Sequence, residues 1–162
     1  MTMVEIEVTE SEVIQAFVAR ALWLESQMMS ALWDAYIHTN RHMDDIFEMI
    51  LGSRKHKVIL TKIVRNMKGI DIPEFFREFG TKTFDYSNLM EEDIMGELYK
   101  NMKTVLDFYT KLRAMSEEEL INSLWKSGEP KEYFTKMDML IENKNGNVQK
   151  LTPFASRLIR SI

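Results

Sequence analysis

The sequence predicts an all-α protein, a bundle of four helices arranged as two antiparallel hairpins joined by a long crossover. Three observations carry that expectation. Glycine and proline are scarce, at 6 and 3 of 162 residues, which argues against a chain of short strands and tight turns. Apolar residues recur every three to four positions through long segments. Before three of those segments Thr, Asn or Ser stands three residues ahead of Glu, the spacing of a capping box.

The first helix is expected from Thr9, capping with Glu12, to about Ile37. Phe17, Ala21, Leu24, Met28, Leu32 and Ala35 share one face of it. His38-Thr39-Asn40 reads as a turn. A second helix is expected from about Arg41 to Asn66, with Ile46, Met49, Ile50, Leu60, Ile63 and Val64 inward and Gly69 as a C-terminal cap. Residues 69–90 read as the crossover, rich in phenylalanine, with a short helix at Pro73-Glu74-Phe75-Phe76-Arg77. Asn88 and Glu91 then open a third helix to about Met115, with Leu98, Met102, Val105, Tyr109 and Leu112 inward.

Ser116 and Glu119 repeat the capping spacing ahead of a fourth helix. Gly128-Glu129-Pro130 should break it, because interior proline costs about 3 kcal/mol and glycine about 1 more. A restart at Pro130 is expected to run to about Glu142. Asn143-Lys144-Asn145-Gly146-Asn147 reads as a turn, and Thr152-Pro153 as the opening of a short C-terminal helix with Phe154, Leu158, Ile159 and Ile162. At the other end Val4-Glu5-Ile6-Glu7-Val8 alternates as a short strand does, with residues 147–152 as its candidate partner. The expected organisation is an N-terminal segment over residues 1–9, the bundle over 10–144 and a tail over 145–162.

Composition narrows the function. The chain has no cysteine, so thiolate metal sites, disulfides and thiol nucleophiles are excluded, and any metal falls to His, Asp or Glu. A net charge of −4 weighs against nucleic acid as a partner. No apolar run approaches the roughly 20 residues that span a bilayer. The acidic start lacks the apolar stretch of a secretory signal, and a cytoplasmic location is expected.

Residues 51–63 can be laid over 125–137, which sets Ser53 on Ser127 and His56 on Pro130. Together with Ala21-Leu22-Trp23-Leu24-Glu25-Ser26-Gln27-Met28, the helix over 47–60 and the pair Phe108-Tyr109, this pattern resembles the rubrerythrin-like branch of the ferritin-like superfamily. The resemblance covers roughly residues 10–142. It implies a ferritin-like bundle with two irons, where each hairpin gives one Glu from its first helix and a Glu-x-x-His pair from its second. Glu25 then stands at a ligand position and His56 at a histidine position. Ser53 stands where the first Glu-x-x-His has its Glu, and Met102 where the third helix has its Glu. Ser127 and Pro130 replace the second Glu-x-x-His. Ser and Met do not serve a hard ferric ion, so the di-iron site reads as lost and no cofactor is expected. The alternative is a single transition-metal ion at Glu25 and His56, completed by Glu129 or Glu132. The missing cysteines also exclude the four-Cys rubredoxin-type domain of full rubrerythrins.

Glu25 lies four after Ala21 and three before Met28, on the inward stripe, and a buried carboxylate needs a partner. His56 is inward by the same test, so a Glu25–His56 hydrogen bond would satisfy both. His38 and His42 are four apart but straddle a turn and read as exposed. The 13 methionines read as core filler. The expected function is a non-catalytic assembly or partner-binding scaffold, a homodimer or the partner of another protein, with no nucleic acid and no membrane. Two alternatives stand beside it. One is a metal-binding or redox protein with a reduced site at Glu25 and His56, and the other is a module holding a small apolar ligand at the bundle centre.

Overall fold

The computed structural model describes residues 9–80 and 82–155, and every regular element among them is a helix. In chain order these are α1 (Glu10–Ile37), α2 (Met43–Arg65), α3 (Ile72–Phe79), α4 (Glu91–Met115), α5 (Glu118–Leu124) and α6 (Lys131–Leu151), then a 3-10 turn at Thr152–Phe154. Thr9 caps α1 as its spacing predicts, its hydroxyl oxygen accepting from the Glu12 amide at 3.2 Å. All six residues expected inward on α2 are buried, as are all five on α4. No helix is long and apolar enough to cross a membrane among the described residues.

The four long helices close a ring, with α1 against α2 and α4, and α6 against α4 and α2. Hydrogen bonds fix their directions. Gln15 near the start of α1 donates to the Lys68 carbonyl just past the end of α2, so α1 and α2 are antiparallel. The end of α4 meets the start of α6 where the Ser116 and Tyr133 hydroxyls pair at 2.8 Å. The turn after α1 meets the start of α4 through Glu91, whose carboxylate accepts from the Asn40 and Arg41 amides. Residues 66–90 therefore have to travel the length of α1, and they are fastened as they go. Trp23 donates to the Gly80 carbonyl, Gln27 accepts from the Lys82 amide and Asp34 accepts from the Tyr86 amide.

A second fastening joins the two hairpins at one end. Asn66, the C-cap of α2, accepts from the Ser127 amide and hydroxyl and donates to the Ser127 carbonyl. Beside it, Met67 and Trp125 form an isolated antiparallel bridge, with Lys68 donating to Leu124 and Lys126 to Asn66.

Several sequence expectations are corrected. Asn88 does not cap α4, whose N-cap is Met90 without a side-chain bond. Ser116 ends α4 instead of capping α5, since its hydroxyl is taken by the Leu112 carbonyl and Tyr133. Gly69 has a positive φ of 77°, but α2 is capped by Asn66 three residues earlier. The break before Pro130 is present, yet the turn expected at residues 143–147 is not, because α6 continues to Leu151. Asn and Gly each weaken a helix interior by up to about 1 kcal/mol. Burial of Leu140, Lys144, Val148 and Leu151 on one stripe outweighs that cost. Residues 147–151 are thus helical and offer no strand edge, and the expected boundary at 144/145 falls inside α6. The expected strand at Val4 to Val8 and the tail positions Leu158, Ile159 and Ile162 lie outside the described residues.

Candidate functional site

The centre of the ring is polar. Glu25 of α1 is fully buried, and four side chains from three other helices, α2, α4 and α6, converge on its carboxylate. Lys144 of α6 sets its ammonium 2.8 Å from Oε1 and 2.9 Å from Oε2. Ser53 of α2 donates to Oε2 at 2.5 Å, and Tyr109 of α4 donates to Oε1 at 2.7 Å. His56, one turn beyond Ser53, brings Nδ1 to 3.6 Å from Oε1. That nitrogen has no hydrogen-bond partner. Glu25, Lys144, Ser53, His56 and Tyr109 are each at most 3% exposed.

The electrostatics follow from this packing. Burial by itself pushes the Glu25 carboxyl upward, but the Lys144 charge and then His56 outweigh it and hold the group well below its ordinary range. Burial, and then the negative charge of Glu25 and its hydrogen bond, hold the Tyr109 hydroxyl well above its ordinary value. Tyr109 is thus a fixed donor, Glu25 a fixed anion and Lys144 its counter-ion. Removing a charge from water costs several kcal/mol, and a pair recovers this only with good geometry and extra hydrogen bonds. Here both carboxylate oxygens have two short contacts each or better.

The residues singled out in the sequence fare unequally. Glu25, Ser53 and His56 do come together, although Ser53 is the one that hydrogen-bonds Glu25 and His56 is only a close neighbour. Met102 is fully buried in the apolar core. Ser127 belongs to the Asn66 fastening at the end of the ring, and Pro130 is the N-cap of α6. Glu129 and Glu132 are exposed, and Glu132 pairs with Lys136 on its own helix. They do not complete a site with Glu25, because Lys144 stands roughly 20 Å further along the helix from Pro130 at 1.5 Å per residue. His38 and His42 flank the turn between α1 and α2 as expected, but both are half-buried and not exposed, His38 bonded to the Asp34 carbonyl and His42 against the Phe154 ring.

Sequence reasoning missed Lys144 and took Tyr109 for apolar filling. A signal for Lys144 was present: Tyr133, Met137, Leu140, Lys144, Val148 and Leu151 keep one helical stripe. A lysine on such a stripe implies a buried anion opposite it.

The residues at the centre do not fit two irons. One carboxylate and one imidazole face an ammonium group, which carries the charge that a metal ion would bring. Among the described residues no cluster of three or more His, Asp or Glu side chains forms.

A second feature lies outside the ring. The outer faces of α1 and α2 enclose a groove of about 690 Å³. Trp33, Phe47, Leu51 and Val58 line it although each is more than 40% exposed. Arg54, Lys57, Lys62 and Arg65 line the same groove, and none of them has an acidic partner among the described residues.

No family model matches the chain, and neither a curated protein nor a solved structure shows significant similarity to it.

Proposed function

We propose that the chain is a non-catalytic, ferritin-like four-helix bundle whose di-iron chemistry has been replaced by an ion pair, and that it works as a partner-binding scaffold. The Lys144 ammonium bonded to both oxygens of Glu25 carries this reading. An ammonium held there repels a divalent cation and occupies the lone pairs a metal would need. The ring order, with its long crossover between hairpins, supports the likeness to the rubrerythrin-like branch. A centre filled by its own hydrogen bonds leaves little room for an apolar ligand.

A single metal ion at Glu25 and His56 is the second reading, favoured by the unpartnered Nδ1 of His56. It requires Lys144 to withdraw from the carboxylate. The two part on metal analysis. Protein refolded with excess Fe(II), Mn(II) or Zn(II) and then desalted should retain less than a tenth of an equivalent. One or two equivalents, lost in Glu25→Ala, would overturn the scaffold reading.

A further inference from the structure

Residues 49–70 contain six lysines and arginines and no aspartate or glutamate, in a chain whose net charge is −4. The basic excess therefore gathers on α2 and just after it. Along α2 the groove is lined at positions 47, 50, 51, 54, 57, 58, 61, 62 and 65, the spacing of one continuous helical face. That face runs roughly 27 Å at 1.5 Å per residue, about the length of an 18-residue helix. Met29 and Trp33 of α1 form the opposing wall. Trp33, Tyr36 and Phe47 build an aromatic end, with ring centroids 5.9 and 6.1 Å apart in succession.

Lys62 and Arg65 lie in the last turn of α2, where cations offset the helix dipole. Arg54 and Lys57 have no such role, being mid-helix, beside exposed Leu51 and Val58. Apolar side chains left in water together with cations that have no counter-ion among the described residues describe the complement of a ligand that is apolar and acidic.

We propose that the α1–α2 groove receives an amphipathic acidic helix of a partner protein, with apolar side chains at i, i+3/i+4 and i+7 against Trp33, Phe47, Leu51 and Val58 and carboxylates against Arg54 and Lys57. This rests on the scaffold reading and specifies its partner. Helix-in-groove recognition uses this spacing, and charge complementarity supplies orientation and selectivity. A second copy docked groove to groove would bring the same unpaired cations face to face, a like-charge arrangement. A bilayer is flat, whereas this surface is a trough between two helices.

The test uses a fluorescein-labelled 18-residue peptide with Leu at i, i+3/i+4 and i+7 and Glu on its flanks, and a matched peptide with Lys for every Glu. Fluorescence anisotropy on the full chain should show saturable binding of the acidic peptide, at least about tenfold tighter than the lysine peptide, weakening as salt rises. Val58→Asp and Arg54→Glu should each weaken it about tenfold while leaving helicity by circular dichroism unchanged. Equal or absent binding of the two peptides would overturn the proposal. So would recruitment to phosphatidylserine vesicles without peptide binding, or a wild-type dimer that Val58→Asp dissociates. Failure here with no metal retained removes the groove's partner but leaves the scaffold reading, whereas retained iron sinks that reading whatever the peptide does.

Discussion

The centre of the ring and the outer groove of α1 and α2 invert the usual distribution of charge. Inside, a fully buried carboxylate is held by an ammonium and two hydroxyls. Outside, Trp33, Phe47, Leu51 and Val58 stay in water beside cations that have no anion among the described residues. The difference teaches where each region's needs are met. At the centre the Glu25 carboxylate finds its partners within the chain, and only the Nδ1 of His56 is left without a hydrogen bond. The groove is unsatisfied on both counts among the described residues.

Breaking the centre should have the largest effect. Glu25→Gln or Lys144→Met leaves one charge or one carboxylate uncompensated in the interior, and each should cost about 3–5 kcal/mol in urea denaturation. The pair Glu25→Gln with Lys144→Met removes both charges and keeps an amide oxygen for one of the Ser53 and Tyr109 hydroxyls. It should recover part of the loss, since the amide oxygen can accept from only one of the two hydroxyls, and a double variant as unstable as the sum of the singles would contradict a paired centre.

Acid should sharpen the comparison with a smaller effect. The Glu25 carboxyl is depressed from its ordinary 4.5. Its contribution is therefore complete above that range and lost as pH falls toward the depressed value, because the unfolded chain binds the proton first. Stability should rise with pH through this acid window, more steeply in the wild type than in Glu25→Gln. Parallel curves would mean that Glu25 is not held ionised. The smallest effect is expected at the groove, where Leu51→Ser should change stability by less than about 0.5 kcal/mol. A loss several times larger would place Leu51 in the core and close the groove.

Much of the helical framework was legible because capping and periodicity are local signals. Thr9, the stripe of α2 and the stripe of α4 from Leu98 to Leu112 stand as their spacing indicates. The stretch Asn143 to Asn147 misled because its composition is that of a turn, while the force holding it helical comes from residues a hundred positions away. Lys144 is bonded to Glu25, a pairing that no window along the chain contains. The same distance defeated the overlay that matched Ser53 to Ser127. Both are serines in comparable helix pairs, but Ser127 answers to Asn66 at the end of the ring and Ser53 to Glu25 at its middle. Glu25 itself was readable as a buried acid in need of a partner; which cation met that need was not.

The small junction of Asn66 with Ser127 has a consequence for how the molecule comes apart. One asparagine amide binds donor and acceptor of the other hairpin at once, and the flanking Lys68 and Lys126 amides each cross between hairpins. Swinging either helix pair open at that end while the other stays shut would break these bonds. The joint ties the opening of one hairpin to the other at that end, and slower hydrogen exchange at the Lys68 and Lys126 amides than in an Asn66→Ala variant is the expected sign of it.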